Sequence, residues 1–255
     1  MMSGQGQDAA AVPLVVFDFD HTLYAGDSGG DLVQWLIRRS WLRMLATIPA
    51  SFVLLPMLAV VPTRRRGISG YLWLGTFGLR DYRDMNALIR RYVSARTDDL
   101  RAALLPLAIK VLEQHLAAGD RVVIATGAPP ELAHAILEFV AHSAVPVVGS
   151  HEAPFLGGLI TVEHCHNENK LRCLQRKGYG GPIAVAYSDS SADLPLLKAA
   201  RRPVVVNPKR SSVAMFRREL PPGTPMLNWG CANRAGDPPA PSSSPAPVQS
   251  TPTPE

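Results

Sequence analysis

Five short runs along the chain are mostly β-branched and apolar on both faces: Leu14 to Phe19, Arg121 to Ala125, Val145 to Gly149, Ile183 to Tyr187 and Pro203 to Val206. Runs of this kind read as parallel strands buried on both sides of a sheet. Between them lie patterns of helical period: Asp99 to Ala118, ended by Gly119; Pro130 to Ala141, opening on proline; Glu168 to Lys177, ended by Gly178; and Ser191 to Ala200. The alternation predicts an α/β core built on a doubly wound parallel sheet. Gly157-Gly158, within His151 to His164, predicts a small hairpin set between two of these units.

One long stretch, from about Gly26 to Thr97, is helical and interrupts the alternation directly after the first strand. It reads as an inserted helical cap. Residues 13–26 and 98–220 then form the core and 27–97 the cap, with disordered ends at 1–12 and 221–255. Within the cap, Met44 to Thr63 is twenty residues without a charge, flanked by Arg38, Arg39 and Arg43 on one side and Arg64, Arg65 and Arg66 on the other. That is long enough to cross about 30 Å of hydrocarbon; the second uncharged run, Gly67 to Leu79, is not. A single crossing would nevertheless strand Asp18 and Asp20 on the opposite face from every later strand of their sheet. Pro49, Pro56 and Pro62 also disfavour a straight span. Arginines at both ends fit a hairpin that re-enters the membrane or lies in its interface, with Tyr71, Trp73 and Phe77 at headgroup depth. The competing readings are a buried cap helix and a dimer interface.

Composition sharpens this picture in two places. Between Asp27 and Arg101 there are twelve arginines against six aspartates and neither Lys nor Glu, so this segment carries +6 of a chain whose net charge is +5. The arginines border apolar runs instead of forming a polar stripe, which argues for anionic lipid and against nucleic acid. Residues Met1 to Val12 carry no Lys or Arg and no long apolar run, and do not read as a secretory signal. Three irregularly placed cysteines suit a reducing compartment. From Ala235 to Glu255 seven prolines and no basic residue predict a disordered extension.

The chemistry gathers where the predicted strands end. The first runs into Asp18-Phe19-Asp20-His21-Thr22, two carboxylates one residue apart, a pair suited to nucleophile and acid. The second ends in Thr126-Gly127, a hydroxyl and a flexible N–H able to bind a phosphoryl oxygen, although a helix cap reads the same way. The fourth ends in Ser188-Asp189-Ser190-Ser191-Ala192-Asp193, with two acids at a helix start. Four carboxylates in one place call for a hard divalent cation, and Mg²⁺ is the usual choice where phosphate is the substrate.

This order of motifs resembles the haloacid-dehalogenase-like phosphohydrolases, whose core is Rossmann-like. The resemblance implies Asp18 as the nucleophile that becomes an aspartyl-phosphate and Asp20 as the acid that later activates water. It implies Thr126 and Gly127 holding the phosphoryl group and Lys170, in Asn167-Glu168-Asn169-Lys170, screening it. Asp18, the carbonyl of Asp20 and Asp189 would hold Mg²⁺, with Asp193 behind them. The cap's position is similar to that of the phosphoserine-phosphatase-like branch. The arginine-flanked apolar cap, Tyr71-Leu72-Trp73-Leu74-Gly75-Thr76-Phe77-Gly78, and Tyr187-Ser188-Asp189-Ser190 with Asp193-Leu194-Pro195-Leu196-Leu197 resemble the phosphatidylglycerophosphatase C family. That implies a lipid-phosphate substrate at the cytoplasmic face of a bacterial membrane, with phosphatidylglycerol as product. Ser188, where many members have Gly, departs from the pattern. The alternatives are a phosphatase of a soluble metabolite such as phosphoserine and a non-catalytic membrane binder. His21 and Thr22 read as residues shaping the site entrance. Asp27 and Ser28 read either as headgroup contacts or as a turn and cap. His164, Cys165, His166 and Cys173 fit no familiar zinc spacing.

Overall fold

The computed structural model describes residues 12–60, 62–79, 84–232 and 234–236; of the ends expected to be disordered, 1–12 and 221–255, residues 1–11 and 237–255 lie outside the described residues. Strand β1 (Leu14–Phe17) leads into α1 (Ser28–Arg38), α2 (Trp41–Ala59), α3 (Arg64–Thr76), α4 (Met85–Ala95), α5 (Thr97–Ala102) and α6 (Pro106–Ala117). Then follow β2 (Arg121–Ala125), α7 (Pro130–Leu137), β3 (Val147–Val148), the antiparallel pair β4 (His151–Phe155) and β5 (Gly158–Glu163), and α8 (Glu168–Arg176). The chain ends in β6 (Ile183–Ser188), α9 (Leu194–Ala199), β7 (Ala200–Val206), α10 (Val213–Glu219) and β8 (Met226–Leu227).

The main sheet has the order β3-β2-β1-β6-β7-β8, and every neighbouring pair is parallel. Successive side chains of a strand alternate between its faces. Val15 and Phe17 therefore pack with Leu36, Tyr92 and Leu112 on one side, while Leu14 and Val16 pack with Leu174, Leu197 and Phe216 on the other. The chain leaves β1 first toward β2 and β3 and returns to its other side through β6. Strand order thus reverses at β1, and a crevice opens beyond the carboxyl ends of β1 and β6.

Three elements differ from the sequence reading. The helix expected over Asp99 to Ala118 is two helices, because Leu105 is extended (φ −86°, ψ 111°) ahead of Pro106, whose ring disfavours a helical residue before it. Strand β7 begins at Ala200, ahead of Pro203. The described residues from Pro221 to Gly236, inside the tail expected to be disordered, are structured. Val205 N–H donates to Pro225 O and Asn207 N–H to Leu227 O, which seats β8 on the sheet edge, and Trp229 is buried against Tyr187 with ring centroids 5.5 Å apart.

The two crossings between core and cap are tied to each other. Ala25 N–H donates to Ala103 O and Leu105 N–H to Leu23 O, around an antiparallel bridge of Tyr24 with Leu104. Beyond that junction α2 lies on α3, which lies on α1 and β5. The α2–α3 contact depends on glycine: a Cβ at Gly67 would stand 2.9 Å from Leu58 Cδ2, and one at Gly70 2.6 Å from Leu54 Cδ2. Helix α3 is stitched to the hairpin by Trp73 Nε1 to Phe155 O (3.0 Å), Leu159 N to Thr76 Oγ1 (2.7 Å) and Gly78 N to Gly157 O (3.0 Å). Helix α2 has no buried residue, and Phe52 (81%), Trp41 (69%) and Ile48 (62%) stand out from it. A cap helix buried within the chain is therefore not what the apolar run forms. By length and composition α2 is able to cross a membrane.

Candidate active site

Asp18 directly follows β1 and is buried, its N–H donating to Tyr187 O at 2.9 Å. Its carboxylate accepts from Lys170 Nζ at 2.7 Å and from Thr22 Oγ1 at 3.4 Å. The chain then turns through His21, at φ +58°, with the Thr22 and Leu23 N–H groups on Phe19 O. This turn aims the Asp20 carboxyl at the start of α1, where Ser28 N–H donates to it at 2.9 Å. Thr126 follows β2; its buried hydroxyl accepts from Ala128 N–H at 3.1 Å, and Gly127 O accepts from Ser150 Oγ at 2.7 Å. Asp189 follows β6 and is buried. Lys170 reaches in from α8, fully buried, and bridges Asp18 to Asp193, 2.6 Å from the latter. Ser188, the departure noted above, donates to Asp193 at 2.7 Å.

Three of these acids sit where burial disfavours their charge. Desolvation raises Asp20 to about 7, against the hydrogen bonds from Ser28. It also raises Asp18, against the pull of Lys170, and Asp189, where Asp18 adds to the rise and Arg234 opposes it. Lys170 is raised as well: burial works against its charge, and Asp18 and Asp193 overcome that.

Among the described residues no three His, Cys, Asp or Glu side chains converge as a ready-made metal cluster. Asp193 holds Lys170 and Ser188, the Asp20 carboxyl holds Ser28, Asp18 Oδ1 holds Lys170 and Asp189 Oδ2 holds Arg234; Asp18 Oδ2 and Asp189 Oδ1 are the oxygens at the two strand ends that no cation among the described residues engages. Two carboxylates completed by backbone and solvent oxygens are what Mg²⁺ favours. A buried Asp193 Oδ1 without a partner adds to the unbalanced negative charge. The residues fit the ion.

The raised acids predict a pH dependence. Their folded pKa values lie above those of the unfolded chain, so the folded protein binds more protons and loses stability as pH climbs from about 4 through the raised values. Lys170 titrates well above this window. In chelator the melting temperature is expected to fall from about pH 5 to about pH 8, and Mg²⁺ to raise it more at the upper end. A flat profile in a thermal-denaturation series would contradict the charge balance described.

Other predicted residues stand outside the cluster. Asp27 caps α1, accepting from Gly30 N–H at 2.9 Å, and is exposed. Ser28 gives Asp20 its backbone N–H, and its hydroxyl lies buried beside that carboxyl. Burial, helped by Arg234, lowers His21 to about 4, so its ring is neutral near pH 7. Cys173 Sγ points to Glu163 and Cys165 Sγ to Val148 O, and with His164 and His166 they form no metal group. Sequence reasoning missed two participants. Asn207, at φ +49° just past β7, donates to His21 O at 2.7 Å and accepts from Trp229 N–H at 2.6 Å. The rule that sites lie beyond strand ends could have found it. Arg234, paired with Asp189 at 2.9 Å, carried no local signal.

Comparison with known proteins bears on the fold and the family. A chain from Streptomyces azureus named inhibition of morphological differentiation protein is 31% identical over 129 residues, 48% of this chain and 45% of its own length. The match thus spans less than half of that relative. A Bordetella pertussis protein of unknown function shares the fold at TM-score 0.62 and 22% identity, over 81% of this chain and 95% of that one. A phosphoserine phosphohydrolase-like protein of Francisella tularensis does so at 0.53 and 17%, over 80% and 92%. The model of the haloacid dehalogenase-like hydrolases matches residues 15–198, from the first strand past the last acid of the cluster, and the chain belongs to that family.

Proposed function

We propose that the chain is a Mg²⁺-dependent phosphomonoesterase that removes the terminal phosphate of phosphatidylglycerophosphate, leaving phosphatidylglycerol, at the cytoplasmic face of a bacterial membrane. In the first step an Asp18 oxygen bonds to phosphorus while the bond from phosphorus to the alcohol oxygen breaks, and Asp20 gives its proton to that oxygen. In the second, water attacks phosphorus, Asp20 takes the water's proton, and the Asp18–phosphorus bond breaks to release inorganic phosphate. The pKa of Asp20, about 7, suits a group that must give and then accept a proton near neutrality. Thr126, Gly127 and Lys170 would hold the phosphoryl oxygens, and Asp18 and Asp189 would hold Mg²⁺. When bound, Mg²⁺ neutralises charge on phosphate and carboxylates alike.

What carries the lipid reading is α2, a nineteen-residue apolar helix without one buried residue, bordered by arginine clusters at both ends. Arg43 and Arg64 each donate to backbone carbonyls of the cap, Phe77 O and Leu58 O, which fixes charge at the rim of that face. An antiparallel pairing of α2 with a second copy would set Arg38, Arg39 and Arg43 against Arg64, Arg65 and Arg66 of the other. An anionic bilayer meets the same charges with attraction.

The test is phosphate release from phosphatidylglycerophosphate in mixed micelles, beside phosphoserine, with and without Mg²⁺, together with flotation on anionic vesicles. Mg²⁺-dependent release selective for the lipid, by a protein that floats, is the expected result. Turnover of phosphoserine by a protein that stays off vesicles would move the substrate to a soluble metabolite.

A further inference from the structure

We propose that Arg234 is a positioning residue for the metal site, and that through it the segment after β8 forms part of the active centre. The inference rests on the reading of Asp189 as a metal-holding carboxylate.

Arg234 lies far along the chain from every motif residue, yet its Nη1 donates to Asp189 Oδ2 at 2.9 Å and to Asn207 O at 3.3 Å. Its side chain is only 9% exposed, so this is an interior ion pair and not a surface contact. The pair engages one oxygen of Asp189 and leaves the other for an ion. A buried carboxylate next to Asp18 would otherwise be pushed away by like charge. With one oxygen fixed, its rotamer is fixed, and the free oxygen keeps a set position beside Asp18. Charged hydrogen bonds of this kind orient metal ligands from behind.

The chain that carries Arg234 is itself anchored. Asn228 Oδ1 accepts from the N–H groups of Gly230 and Cys231, and Asn228 Nδ2 donates to Arg234 O at 3.3 Å. Ala235 N–H donates to Pro208 O at 2.9 Å. Trp229 holds the start of this loop against Tyr187, two residues before Asp189. Asn207 ties the same loop to His21 O, in the turn that follows Asp20. The loop therefore contacts the end of β6 directly, through Arg234, and the end of β1 by way of Asn207.

The experiment titrates Mg²⁺ into the full-length protein and follows its melting temperature, for the parent, R234A, R234K, D189N and the R234A/D189N double variant. R234A is expected to weaken the apparent Mg²⁺ affinity roughly 10–100-fold. R234K, which keeps the charge but not the planar guanidinium whose Nη1 serves both Asp189 and Asn207, is expected to recover part of it. D189N should lose the Mg²⁺ response, and R234A should add nothing on that background. At saturating Mg²⁺ the KM for a phosphomonoester should stay at the parent value. Parent-like Mg²⁺ affinity in R234A, with only a lower metal-free melting temperature, would reduce Arg234 to a loop anchor and overturn the proposal. Tighter Mg²⁺ binding would overturn it too, by making Arg234 a competitor of the ion. Should R234A not fold, parent-like affinity in R234K decides against the proposal. A full Mg²⁺ response in D189N would remove the underlying metal reading instead.

Discussion

Asn in place of Asp18 is expected to abolish phosphate release, with a fall of roughly three to six orders of magnitude, while the protein stays folded. The amide is isosteric with the carboxylate but cannot attack phosphorus. Its oxygen still accepts from Lys170 Nζ, which also retains Asp193 at 2.6 Å. Removing one of several buried carboxylates relieves repulsion, so the metal-free melting temperature should hold or rise. A time course of phosphate release, run beside thermal denaturation of the same sample, checks both halves. Residual activity near the parent rate in a folded D18N protein would show that phosphorus is attacked by another group.

The second large effect is on stability. Lys170→Ala is expected to destabilise the metal-free protein by about 3–5 kcal/mol near pH 8, because two buried carboxylates lose their shared cation. The loss should shrink toward pH 5 as the raised Asp18 takes up a proton. Urea denaturation in chelator at both pH values measures the difference. A loss that did not change with pH would mean that Lys170 contributes through packing and not through charge.

The strands and the clustered acids were legible for the same reason. A strand buried on both faces announces itself by composition, and in parallel sheets the chemistry lies just past its end, which located Asp18, Thr126 and Asp189 together. Lys170 was different. It stands on a helix with nothing local to distinguish it from a solvated lysine, and only the resemblance singled it out; its burial between Asp18 and Asp193 is a tertiary fact. The break at Leu105 was readable from Pro106 and was overridden by the helical pattern on both sides. Strand β8 and Trp229 were hidden among the prolines that precede the tail, since a two-residue edge strand has no periodicity to detect. Arg234 meets Asp189 across 45 residues of sequence, and no spacing rule reaches that far. For α2 the sequence supplied length and apolarity, whereas which side it packs on depends on Gly67 and Gly70 meeting Leu58 and Leu54.

The stitching of α3 to β4 and β5 bears on how the crevice is entered. The cap is joined to the core at the Tyr24–Leu104 bridge and, on another side, to a hairpin that runs through His164 to Asn167 into α8. A flap hinged along one edge swings open; a plate held along two edges does not. Opening by rotation about the first junction would break the bonds of Trp73, Thr76 and Gly78 to the hairpin, or drag the hairpin and strain the start of the helix that bears Lys170. Any swing of the cap thus carries the loss of those bonds, and a molecule that reaches the acids while they hold meets cap and hairpin as one piece.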